Sequence, residues 1–155
     1  MAAVRRTTTE QAGRGRPAMT SRRQARHDAM VILYQHEITR EDVERLLESH
    51  AAEQGRPLDE YTPQVVAAVL GETARIDSVI DRCSSSWKSH RIAPLERSIL
   101  RIAVHEMLDE EEIPLEVSID EAVTLAKRFC SREAAALING ILGKLADEIH
   151  GDSRT

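Results

Sequence analysis

An all-α fold of about six to seven helices is predicted by three observations. Aromatic residues make up only 3% of the 155-residue chain, so the core has to be built from Leu, Ile, Val and Ala. That composition suits packed helices better than a sandwich, which usually carries aromatic and Thr-rich strands. Apolar residues recur at helical spacing in one segment after another. The only β-like piece, Val117 to Ile119, is too short to pair.

Residues 1–20 mix Gly, Pro, Thr and Arg without an apolar period and are predicted to form a disordered basic arm ahead of a helical domain over 21–150. The first helix is capped by Thr20 or Ser21 and reads RRQARHDAMVILYQHE. Ala25, Ala29, Ile32 and Leu33 form its stripe, widened by Met30 and Tyr34. A second helix spans 41–54 after Thr39 or Arg40, with Val43, Leu46, Leu47 and Ala51 inward, and Gly55 with Pro57 ends it. Thr62-Pro63 reads as a cap followed by a first-turn proline. Val66, Val69, Leu70, Ile76 and Ile80 then keep one period, interrupted by Gly71. Cys83 leads into a serine run and Trp87, the single tryptophan.

Pro94 opens the next helix, whose stripe is Leu95, Ile99, Ile102, Ala103 and Met107. The acids at 109–112 oppose a helix dipole at its C-terminus and are expected in loop. Ser118 to Glu121 has the spacing of a capping box. Ala122, Val123, Ala126 and Phe129 face inward after it. Ser131 caps the last helix, with Leu137, Ile138, Ile141, Leu142, Leu145 and Ile149 as its stripe. Gly140 and Gly143 are expected to let helices approach closely.

Net charge is −5, unevenly placed. Over residues 1–26, seven arginines against Glu10 leave +6; the remaining 14 basic and 25 acidic groups leave −11. Such an arm reads either as a solvated tail or as a polyanion-binding segment. Arg22, Arg23 and Arg26 share one side of the first helix. There they oppose the macrodipole, which costs only tenths of a kcal/mol per residue if they are simply solvated. No stretch approaches the ~20 apolar residues of a membrane span, and no apolar region follows the N-terminal arginines as a secretory signal requires. A cytoplasmic location is expected. Cys83 and Cys130 lack any paired spacing and read as free thiols, Cys130 at a helix end beside Phe129 as an inert one.

A search for catalytic patterns returns none: no P-loop, dinucleotide-binding glycines, HExxH or GxSxG. The six histidines show no ligand-like pairing, and His105 reads as a partly buried structural residue. No catalysis, cofactor or metal is expected.

Three stretches, in order, carry a resemblance. They are RRQARHDAMVILYQ at 22–35, LERSILRIAVHEM at 95–107, and IPLEVSIDEAVTLAKRF followed by LINGILGKL. Together they resemble the NusB transcription antitermination family, over about residues 21 to 149 and most weakly between 38 and 90. The resemblance implies two small helical bundles packed together. It also implies binding of boxA-type single-stranded RNA in nascent ribosomal RNA transcripts, together with the ribosomal protein NusE, in a complex that helps RNA polymerase read through termination signals.

By the same resemblance, Arg22, Arg23 and Arg26 meet RNA, with Lys127, Phe129 and Glu133 on or bordering that surface. Tyr34 and Glu96 fall on the NusE side. Arg101 belongs to that partner and RNA surface or to an internal ion pair. Phe129 or Tyr34 offers a stacking platform. Asn139 reads as structural. The chain departs from the family at Ala136 and Leu137, which shifts phosphate contact toward the N-terminal arm, and at Asp120, expected to be a conservative capping change. Two alternatives remain: a helical interaction module whose main role is homodimerisation, and the RNA-binding part of an RNA methyltransferase lacking its catalytic domain.

Overall fold

The computed structural model describes the backbone of residues 18–85 and 87–154, and side chains within 22–152 apart from residue 86. Most of the predicted arm, residues 1–17, lies outside the described residues. Those described form seven α-helices and one short 3₁₀ turn.

Helix α1 (Ala18–Thr39) starts two to three residues before the expected cap, a normal fraying margin. It buries Ala25, Ala29, Met30, Ile32 and Leu33. The chain leaves it through Arg40 at φ +63°, the left-handed position that commonly follows a helix. Helix α2 (Val43–Gln54) is capped by Asp42, which accepts from the Arg45 N–H at 3.3 Å, and is closed by Gly55 at φ +67°. The helix thus starts two residues later than expected, and Gly55 takes its expected role because a Cβ disfavours that backbone region.

The single long helix expected from Thr62 to Ile80 is two helices, α3 (Tyr61–Gly71) and α4 (Thr73–Cys83), broken at Glu72. Thr73 Oγ1 donates to the Val69 carbonyl at 2.9 Å across the break. Thr62 is not a cap. It lies fully buried in the first turn of α3, and its hydroxyl donates to the Ala25 carbonyl of α1 at 3.1 Å. Asp59 accepts from the Tyr61 N–H instead, at 2.8 Å.

After a 3₁₀ turn (Ser89–Arg91), Pro94 opens α5 (Pro94–Asp109) as the sequence implies. Helix α6 (Leu115–Phe129) begins three residues before Ser118. The Ser118–Glu121 tetrad is thus no capping box but two buried positions one turn apart. Asp120 is exposed within the helix, so it is not a capping residue either. Helix α7 (Arg132–Arg154) is capped as expected, with Ser131 Oγ accepting from the Ala134 N–H at 3.0 Å.

Helices α1, α2 and α3 pack as one group and α4 to α7 as another, with α5 against α1 as the seam. One continuous apolar core runs through both. Leu100, Val104, Ile138 and Leu142 are fully buried within it. Gly140 and Gly143 do not serve close helix approach, since a Cβ at either would meet nothing within 4 Å.

Polar groups staple α1 to α2. Asp28, 0% exposed, is met by His50 Nε2 at 2.8 Å and by Arg56 Nη2 at 3.1 Å. A carboxylate only accepts, so Nε2 carries the hydrogen. Burial alone would raise the Asp28 carboxyl; hydrogen bonds from His27, His50 and Arg56 outweigh it and hold the carboxyl well below its usual range. A depressed acid stabilises the fold above its unfolded value of about 3.9 and ceases to as pH falls through the folded value. Stability should therefore decline as pH drops below about 4. Acid-induced loss of helical circular dichroism measures this, with Asp28→Asn giving a shallower decline. Superimposable acid curves would exclude Asp28 as the group responsible.

Candidate nucleic-acid interface

The three arginines that the sequence groups together have different environments. Arg26 is buried: its Nε donates to Glu106 Oε2 at 2.7 Å, with side chains 4% and 1% exposed. Its Nη1 lies 3.6 Å from Glu121 Oε1 without a hydrogen-bond partner. It cannot meet a phosphate, because Ala25, Ala29 and Met30 place the same turn of α1 in the core. This corrects the expectation for Arg26. Arg23 grips Glu121 in bidentate fashion, at 3.0 and 2.8 Å, but leaves 57% of its side chain exposed. The bond to Glu121 and its negative charge keep the Arg23 guanidinium protonated. Arg22 lies with its guanidinium carbon 3.9 Å from the Tyr61 ring centroid, an arrangement that favours cation–π attraction.

Glu106 organises this end of the molecule from beneath. Besides Arg26 it accepts from the Tyr61 hydroxyl and the Ser118 hydroxyl, each at 2.7 Å. Burial and the facing Glu106 carboxylate push the Tyr61 hydroxyl far above its ordinary value, so it stays a donor. Residues of α1, α3, α5 and α6 meet at one buried carboxylate, and the two outer arginines rest on that support.

The C-terminal end of α6 joins the same surface. The Phe129 ring, 37% exposed, sits 5.2 Å from the His27 ring of α1. Arg128 lies 5.0 Å from the Phe129 centroid. Lys127 and Arg128 are exposed in the last turn of α6, where cations suit the macrodipole. Exposed Arg132 follows at the start of α7. Glu133 is exposed beside it in the first turn, where an acid is favoured; it borders the face without adding positive charge. An open depression next to these residues is lined by Val123, Lys127, Arg132, Ala136 and Asn139. Asn139 is thus an exposed rim residue and not a core support, and Leu137 packs partly against the core.

The result is a run of basic side chains along one side: Arg128 at the Phe129 ring, Lys127 and Arg132 on the depression beside it, Arg23 one turn of α1 before His27, and Arg22 farther on over Tyr61. Sequence reading missed His27, Arg128 and Arg132. A signal existed for the last two, since residues 122–132 contain no acid.

The residues predicted for the partner side lie farther along α1. His27, Tyr34 and Ile38 follow helical spacing on one stripe, and Tyr34 and Ile38 are 37% and 55% exposed. Phe129 abuts the stripe at His27, while Tyr34 lies about two turns away. The stripe runs into a groove that Leu70, Arg97 and Arg101 also line. Arg101 turns out to be an internal ion-pair residue. It bonds Asp77 at 2.8 and 2.7 Å and Glu37 at 3.2 Å, with its side chain 16% exposed. Burial alone would lower its pKa, but the two carboxylates outweigh that and raise it. Glu37 also pairs with Arg97. Glu96 is half-buried in the first turn of α5. The Cys130 thiol is pushed up to about 11 by burial and by the Glu96 charge, so it is unreactive at neutral pH.

A family model described as the NusB family matches residues 23–147. The transcription antitermination protein NusB of Rubrobacter xylanophilus is 40% identical over 131 residues, covering 84% of this chain and 94% of that one. Among solved structures, T. maritima NusB superposes with a TM-score of 0.73 at 34% identity, over 82% of this chain and 91% of that chain. A crystal structure of the antitermination factors NusB and NusE in complex with dsRNA superposes with a TM-score of 0.73 at 24% identity, over 81% and 95% of the two chains. At that identity the likeness supports the fold alone.

Proposed function

The chain belongs to the NusB family, and from that premise we propose that it is a non-catalytic, RNA-binding antitermination factor of the cytoplasm. With a NusE-type ribosomal protein it holds the boxA element of a nascent ribosomal RNA transcript, and the assembly helps RNA polymerase read through termination signals. The observation that carries this reading is the run of basic side chains along the Phe129 side of an otherwise acidic chain. Arg22, Arg23, Lys127 and Arg132 neutralise phosphates of a single strand, and Phe129 stacks a base, a contact worth ~1–3 kcal/mol. The partner protein docks along Tyr34 and Ile38 toward Glu96, directly beside the RNA. An acidic body discourages non-specific coating of RNA, so the partner supplies much of the selectivity.

With three or four phosphate contacts, log affinity should fall against log salt with a slope of about −2 to −3. Anisotropy titrations of boxA-like and scrambled RNA, with and without NusE, test the reading. Preference for boxA that grows when NusE is added is the expected result. Equal binding of both RNAs in the presence of NusE would overturn it.

A further inference from the structure

Between α4 and α5 the chain runs through an acid-free stretch, residues 82–95, that contains Arg82, Lys88, His90 and Arg91. In a protein of net charge −5, such a run next to the single tryptophan stands out. Trp87 is 50% exposed, and Lys88, His90 and Arg91 around it are exposed. The loop is tied down from beneath. The Trp87 N–H donates to Ser84 Oγ at 3.0 Å, and the Ser89 N–H donates to Asp81 Oδ1 at 2.6 Å. Arg97 Nη1 donates to the carbonyls of Ser89 and Ile92 at 3.0 and 2.7 Å. Hydrogen bonds thus hold Trp87, Ser89 and Ile92 at their backbones, and the indole is left half in water.

The nearby charges are mostly committed or positive. Asp81 is engaged by the Ser89 N–H, and Glu148 pairs with Arg82 at 2.8 Å. Lys88 makes only a long contact, 3.4 Å, to the Asp81 carbonyl. Helices α5 and α6 run antiparallel, joined by the Ser118–Glu106 bond near the turn between them. Counting about 1.5 Å per residue back along each brings Phe129 to the level of Leu95. The loop therefore runs from Arg82, which meets Glu148 far along α7 from Arg132, to Leu95 at the level of Phe129.

We propose that the Trp87 loop is a second contact for the bound single-stranded RNA, stacking one unpaired base on the indole while Lys88 and Arg91 neutralise flanking phosphates. The proposal rests on the chain being an RNA binder, and it extends the RNA path past Phe129 and around the start of α5. An exposed aromatic ring with Lys88 and Arg91 exposed beside it suits a polyanion that carries flat bases better than a protein surface. Because every base has a π-face, this contact is tolerant of sequence and adds affinity without selecting boxA.

The single tryptophan makes the test direct. The full-length chain is titrated with boxA-containing single-stranded RNA, following RNA anisotropy and, with unlabelled RNA, tryptophan emission. Emission should be quenched in step with saturation. Trp87→Ala should weaken binding on the order of 5- to 100-fold, at an unchanged urea midpoint. A Lys88→Gln/Arg91→Gln variant should reduce the salt slope by about 1.4, or about 0.7 for each lost phosphate. Saturating anisotropy with unchanged emission and unaltered Trp87→Ala affinity would overturn the second contact while leaving the RNA-binding function standing. Emission that responds only to added NusE would overturn it in favour of a protein contact. No anisotropy change with any RNA, with or without NusE, would overturn both readings together.

Discussion

Replacing Glu106 with alanine should destabilise the protein by about 3–5 kcal/mol, the usual cost of removing one member of a buried ion pair. Arg26 would remain in the core with its charge uncompensated except by Glu121 at 3.6 Å. The Tyr61 and Ser118 hydroxyls would each lose the carboxylate that accepts from them. Since domains of this kind are stable by only about 5–15 kcal/mol, much of the fold's margin would disappear. Urea denaturation is the measurement, with a lower midpoint at an unchanged slope. A Glu106→Leu/Arg26→Met double variant should recover the part of the loss due to the stranded charge, leaving only the Tyr61 and Ser118 hydroxyls without their acceptor. A Glu106→Ala midpoint equal to that of the parent protein would show that Arg26 finds another partner or water, and that the network is dispensable.

That network also marks where the sequence is legible and where it is not. Apolar stripes located the helical segments because burying a face imposes a period, though one unbroken period hid the break at Glu72 between α3 and α4; Pro94, Gly55 and Ser131 were legible because their roles are local. Ser118 and Thr62 misled for the converse reason. A Ser three residues before a Glu, or a Thr before a Pro, looks the same whether it ends a helix or crosses to another element. Only tertiary packing shows that Ser118 reaches Glu106 and that Thr62 reaches Ala25. Arg26 did carry a readable signal. It lies three and four residues before Ala29 and Met30, within the buried stripe of α1, where a charge needs a partner. Its membership in an arginine cluster concealed that position. The exposure of Trp87 left no trace in the pattern, since a lone tryptophan after a serine run reads equally as core or surface.

Separating Arg26 from its neighbours yields the second large effect. An Arg22→Glu/Arg23→Glu/Arg132→Glu variant should bind RNA roughly 100-fold more weakly at 0.1 M salt, the loss expected for about three phosphate contacts on a single strand. Its salt slope should fall by about 2. The fold should hold, because all three side chains reach solvent and the α7 N-terminus gains an acid where the macrodipole favours one. Glu121, deprived of Arg23, still faces Arg26. Arg26→Gln should show the reverse pattern: a clear drop in urea midpoint, with the salt slope of RNA binding unchanged in the folded protein. Measuring both quantities on both variants makes the assignment decisive. If Arg26→Gln flattened the salt slope as the surface variant does, Arg26 would have to leave Glu106 to reach RNA, and the buried carboxylate would be a latch that RNA opens. If the triple reversal left the slope intact, phosphate contact would lie away from the Phe129 face. A normal slope in Arg26→Gln and a collapsed slope in the triple variant would establish that the outer arginines meet the RNA while Arg26 holds the fold beneath them.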